Sequence, residues 1–277
     1  MKKPTIILIN DTDHLSYKHA CIVFGVLNSF DIPFTHATFY TLEDRDEFKN
    51  HLNSLAKHCR KRETASFTDE DGEKYRSLLN HQIDLGNEIA YHGYSQVSNK
   101  RPDFQKGIEL INNSLNQKMV SYIEHGGNLS HHPISGCKFE TLDIQGGKID
   151  SEYFVKDLIK DNFKYVWSYF DLVSPKNNFK VEDLLLSLET PTFYQKDNIK
   201  MMKRYRAHDV VKILNEKKLS KDDVIIAYTH FGYCGYPQGT PLESWYTYQD
   251  VHKNCVYLDS LRKQGYNLTT LRKYFGD

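Results

Sequence analysis

Two aspartates and three histidines stand directly behind apolar, β-branched runs, and their types and spacing suit metal-assisted or acid–base chemistry. The run Thr5–Ile9 in "TIILIND" leads into Asp11 and Asp13. "GNEIAYHGYSQ" (86–96) opens into His92, "MVSYIEHGGNLSHHP" (119–133) into His125, and "DDVIIAYTHFGYCG" (222–235) into His230. Imidazole and carboxylate are ligands for a divalent ion such as zinc, and two histidines with one carboxylate leave a coordination position open. Such an ion acidifies water and polarises a carbonyl oxygen, while a further carboxylate and a further histidine serve as general base and general acid. The inventory divides accordingly: Asp13, His92 and His125 as candidate ligands, Asp11 as base, His230 as acid. The plainer reading stands beside it. An Asp-x-Asp after a strand is also a good turn or helix N-cap, and a single histidine is often structural. His131 and His132, ahead of Pro133, read as loop residues, although either could replace His125 as ligand.

These side chains meet only if the chain brings four strand ends together. "TIILI" (5–9) reads as a buried parallel strand. Leu15, His19, Ile22, Val23, Val26 and Leu27 fall at helical spacing within 15–30, and "DIPFTHATFYTL" (31–42) is a second β-rich run. Strand–helix–strand at this pace implies a parallel sheet with right-handed crossovers. Residues 43–86 read as charged helices around a polar connection, and 101–118 as a helix with Phe104, Ile108, Ile111 and Leu115 on one face. The middle, 137–200, is mixed, with a helix and then a strand in "EYFVKDLIKDNFKYVWSYFDL". The last stretch, 256–275, reads as a helix with Gly265 as its C-cap, a short strand and a final helix. In parallel sheets sites form outside the carboxyl ends of the strands. No repeat or linker divides the chain, so a single domain over 1–277 is expected.

Composition narrows the class. At 277 residues, with 39% hydrophobic and 26% charged residues, the chain has the make-up of a globular protein with a substantial core. Lysine plus arginine equal aspartate plus glutamate at 36 each, which leaves no basic footprint for nucleic acid or an anionic membrane. The five cysteines are odd in number and form no C-x-x-C pair, so reduced thiols in a cytoplasmic protein are expected. No apolar run has the length of a membrane span.

The residues together resemble the polysaccharide deacetylase superfamily, also called NodB-homology or carbohydrate esterase family 4, in the branch whose first motif reads His-Asp-Val-Asp. "IILINDTDHLSYKHACIVFGVLNSFDIPFTHATFYTL" is similar to that opening, "GNEIAYHGYSQ" to a "GHEIgxHgyxH" motif and "FKYVWSYFDL" to a "GfkYdsS" strand. "VIIAYTHFGY" resembles the late strand ending in a catalytic histidine, and "YLDSLRKQGYNLTTLRKYF" the usual ending. The resemblance implies an α/β fold, a distorted (β/α) barrel of about seven strands. It also implies a divalent metal, Zn2+ in kind, and hydrolysis of N- or O-acyl groups on sugars; removal of an N-acyl (acetyl or formyl) group from an amino sugar or oligosaccharide intermediate is the leading expectation. It gives Asp11 as base, Asp13 and His92 as ligands and His230 as acid. Tyr94, Gln96, His132 and Trp167 are expected to line the substrate. Two departures stand out: the usual second histidine four residues after His92 is Gln96, and "SHHPISG" keeps a proline but no base-orienting arginine. A catalytically degenerate glycan-binding relative is the alternative these departures favour. A phosphatase of the haloacid dehalogenase type, also built on Asp-x-Asp, is a third reading.

Overall fold

The computed structural model describes residues 4–12, 15–41, 64–96, 98–125, 139–168, 172–173, 191–216, 219–232 and 241–277. Its frame is a run of mostly parallel strands: β1 (Thr5–Asp11), β2 (Thr35–Phe39), β3 (Glu88–Gly93), β4 (Ser121–Ile123) and β5 (Tyr165–Trp167) pair in that order. β6 (Leu172–Val173), the hairpin β7 (Phe193–Lys196) with β8 (Ile199–Met202), then β9 (Arg204–Arg206), β10 (Val224–His230) and β11 (Asn267–Thr269) complete the sheet. Helices α1 (Tyr17–Ser29), α2 (Gly72–Asp84), α3 (Arg101–Ser114), α4 (Lys156–Asn162), α5 (Ala207–Glu216), α6 (Tyr248–Lys263) and α7 (Leu271–Phe275) alternate with the strands, and a single π-helical turn spans Leu142–Gly146.

The sheet closes on itself. β8 pairs with β5 (Val166 with Met201), and β9, separated from β8 by Lys203 alone, pairs with β10 (Ala227 with Tyr205). Residues 199–206 therefore act as one stave between β5 and β10, and β10 pairs with β1 along Thr5–Asp11. The ring β1, β2, β3, β4, β5, β8–β9, β10 has seven staves, the barrel the motifs imply. Alternation along the strands confirms it, because successive side chains point to opposite faces. One buried cluster takes Ile7 and Ile9 from β1, Ala37, Ala90, Ile123, Trp167, Met202, Val224 and Ile226, a member from every stave, with Leu271 closing the base. The other cluster holds the opposite faces, including Ile6, Leu8, Phe34, Ile89, Tyr122 and Ile225, against the helices.

Local chemistry sets the boundaries. Ser16 is the N-cap of α1, its hydroxyl accepting from His19 N–H at 3.2 Å, so neither Asp11 nor a neighbouring carboxylate is needed there. β1 runs two residues beyond Ile9 and ends on Asp11 itself. α3 stops at Ser114, short of 118, because the Asn112 side chain accepts the Met119 N–H at 2.9 Å and Asn80 accepts the Asn116 N–H at 2.7 Å. At the end of α6 the C-cap is Gln264, and Gly265 follows with φ 95°, a left-handed turn in which glycine is unstrained. No helix among the described residues is long and apolar enough to cross a membrane.

Candidate active site

Asp11 is the last residue of β1 and has the parity of Ile7 and Ile9, so its carboxylate faces the barrel lumen at the C-terminal mouth. Arg204, of the same parity as Met202 on the closing stave, meets it there. Its two terminal nitrogens donate to Asp11 Oδ1 at 2.7 Å and Oδ2 at 3.2 Å, a bidentate pair with side-chain exposures of 0% and 7%. The guanidinium carbon lies 3.3 Å from the ring centre of Trp167 and 4.5 Å from that of Tyr228, between two rings tilted by only 15°. Stacking and fork geometry together fix an arginine more firmly than either does alone. Burial by itself pushes the Asp11 carboxyl up. The charges of Arg204, His92 and His230 and the Arg204 hydrogen bond outweigh it and hold the group below its ordinary range. The carboxylate is thus held ionised and oriented at the mouth.

Three imidazoles share this mouth. His92, 1% exposed on β3, donates Nδ1–H to the Ile123 carbonyl of β4 at 2.7 Å, which fixes the orientation of its ring. The His125 ring, two residues past β4, lies 5.0 Å from that of His92. Phe39, buried at the end of β2, touches both, at 4.7 and 5.0 Å between ring centres. On the far side His230 ends β10 opposite Asp11 in register, with the Tyr228 hydroxyl 3.0 Å from its Nδ1. A carbonyl-anchored histidine beside a second imidazole suits one half of a divalent-metal site. Among the described residues no group of three His, Cys, Asp or Glu side chains completes it, and Asp13, the expected third donor, lies outside them.

The barrel brings Asp11, His92, His125 and His230 to one mouth. Trp167 also faces the lumen, 2% exposed, with Arg204 against its ring. Tyr94 stands elsewhere: its ring stacks on Tyr40 at 5.9 Å on one side, and Lys106 of α3 lies 5.6 Å from it. Gln96 donates to the Thr64 hydroxyl at 2.9 Å. His132 lies outside the described residues. Arg204 is the residue that sequence reasoning missed. "SHHPISG" holds no arginine, and the arginine that meets Asp11 comes from another stave.

No family model and no curated protein sequence matches this chain. Among solved structures, a CE4 esterase of Streptococcus mutans is 14% identical, with 97% of this chain and 85% of that one covered and a TM-score of 0.45. A family 4 acetyl xylan esterase from Clostridium thermocellum, in complex with a cobalt ion, is 10% identical over 98% and 90%, TM-score 0.42. A CE4 family pseudoenzyme from Bacillus anthracis is 10% identical, TM-score 0.43, and the chain covers 65% of that protein while 98% of this one is matched. The structure is thus similar to those of several CE4 proteins, esterases and a pseudoenzyme among them.

Proposed function

We propose that the chain is a metal-dependent hydrolase that removes an acyl group, acetyl or formyl, from the nitrogen of an amino sugar or short glycan. The observation that carries this reading is the ionised, Arg204-clamped Asp11 facing His92 and His230 across the mouth of a closed barrel. His92 and His125, with Asp13, would hold the divalent ion, zinc in the first instance. That ion supplies Lewis acidity toward the acyl carbonyl. Asp11 takes the proton of the attacking water, and Arg204 keeps its oxygens aimed. His230, with Tyr228 beside it, gives a proton to the departing amine.

The test loads the purified protein with zinc and measures acetate or formate release across N-acetylated and N-formylated amino sugars. Asp11→Asn is expected to lower turnover about 10²–10⁴-fold, the span of a lost general base, while elemental analysis finds the metal still bound. A zinc-loaded wild type that releases acid from none of these sugars overturns the reading. A second reading, a barrel that binds glycan without cleaving it, is favoured by Gln96, whose amide is committed to Thr64 where the motif carries a histidine. Sugar binding by a protein that takes up no zinc supports that second reading.

A further inference from the structure

Behind the mouth, on the outer face of the barrel wall, the packing changes character. The outward side chains lower down are apolar, Ile6 and Leu8 on β1 and Phe34 just before β2. At the mouth end they become Asn10, His36 and Thr38, all buried, with the Tyr75 hydroxyl of α2 among them. Asn10 and His36 are register partners, and each is the chain neighbour of a lumen-facing residue, Asp11 or Ala37.

The donors and acceptors run one way. The Phe231 N–H donates to Asn10 Oδ1 at 2.5 Å, which fixes the amide so that Nδ2 faces His36 Nδ1 at 2.7 Å. Nδ1 is then the acceptor, and His36 is neutral with its proton on Nε2, which donates to the Tyr75 hydroxyl at 2.8 Å. Tyr75 lies 3.0 Å from Thr38 Oγ1, whose own hydrogen goes to the Phe39 carbonyl at 3.3 Å. Rings of Phe24, Phe34 and Phe231 wall the chain from water. From the Phe231 N–H through Asn10 and His36 to Tyr75 each link has a single orientation, and reversing one breaks its neighbours.

The two ends of this chain are backbone atoms of site-bearing segments. Phe231 follows His230, and Phe39 packs against His92 and His125. We infer that Asn10, His36 and Tyr75 are positioning residues: from behind the wall they lock the ends of β10 and β2 to β1, and so set His230 and the paired imidazoles against Asp11. The inference rests on reading Asp11 and His230 as base and acid, and its test separates the two.

The full chain, labelled with ¹⁵N, is expected to show the Nε2–H tautomer at His36 and a slowly exchanging Phe231 amide. Tyr75→Phe removes one hydroxyl without a cavity, and Asn10→Leu removes the first link. Both are expected to speed exchange at Phe231 by about tenfold. Both are also expected to lower kcat for release of acid from an N-acylated amino sugar, above the Asp11→Asn background, by about tenfold with KM within about twofold, since misplaced groups lose rate before binding. Ile111→Val on the distant α3 is the control, destabilising the core without moving either readout. A proton on His36 Nδ1, or a Tyr75→Phe protein that behaves like the control, overturns the inference. If the zinc-loaded wild type releases acid from none of the N-acylated amino sugars, the proposed activity fails, and the tautomer and exchange measurements still decide the positioning chain.

Discussion

At the scale of the residue, the site turns on one buried ion pair. Removing a single partner of such a pair leaves an uncompensated charge in a dry site and costs about 3–5 kcal/mol. Arg204→Met is therefore expected to lower the melting temperature sharply, and Arg204→Met with Asp11→Asn to recover most of the loss. In any Arg204 variant that folds, the Asp11 carboxyl rises toward and past its ordinary value of 3.8, since burial then acts with less opposition. The acidic limb of a pH–rate profile is expected to move to higher pH, which a titration of kcat/KM checks. Asp11 was legible in the sequence because a strand pattern runs directly into it. Arg204 was not, since its partner lies 193 positions away and no local pattern joins the two.

The element that closes the barrel is the least regular one. Within the ring, stave 199–206 makes two short ladders, one to β5 and one to β10, with β7 and β6 paired to it besides, and it carries Met202 inward and Met201 and Tyr205 outward, all fully buried. Met202→Ala is expected to cost about 2–5 kcal/mol, the range for deleting a buried methionine side chain. Urea unfolding measures the loss, and faster amide exchange along 199–206 than along β1 locates it. Strands β1 and β10 were readable because each is an apolar run ahead of a polar stop, and β2 and β3 as shorter β-rich runs. The closing stave was not, for Lys200, Lys203, Arg204 and Arg206 give "IKMMKRYR" the look of a surface segment. Two of those charges are buried by the fold, Lys203 at 9% exposure and Arg204 at 0%, and nothing local announces that.

For the molecule as a whole, the buried imidazole behind the wall couples folding to pH. His36 titrates at an ordinary 6.5 once unfolded, but in the folded barrel burial, assisted by the charge of His92 and opposed by Asp11, pulls it down to about 3. Between those values the unfolded chain holds the extra proton, so stability is complete above 6.5 and drains away as pH falls toward 3. The slope from this one group is about 1.4 kcal/mol per pH unit inside the window. His36→Gln is expected to flatten that dependence between about pH 6 and 4.5, as urea midpoints at several pH values report, whatever its effect on absolute stability. The base of the lumen behaves in the opposite sense. Glu88, 1% exposed, accepts from Thr35, Ser121 and the Arg272 N–H, yet burial holds its carboxyl above the usual range. One lumen thus carries a carboxyl held below its ordinary range at the mouth and one held above it at the floor, with layers of Ile7, Ile9, Ala90 and Ile226 between them. The two ends are thermodynamically modular: the floor can be retuned for endurance while the proton inventory of the mouth stays as it is.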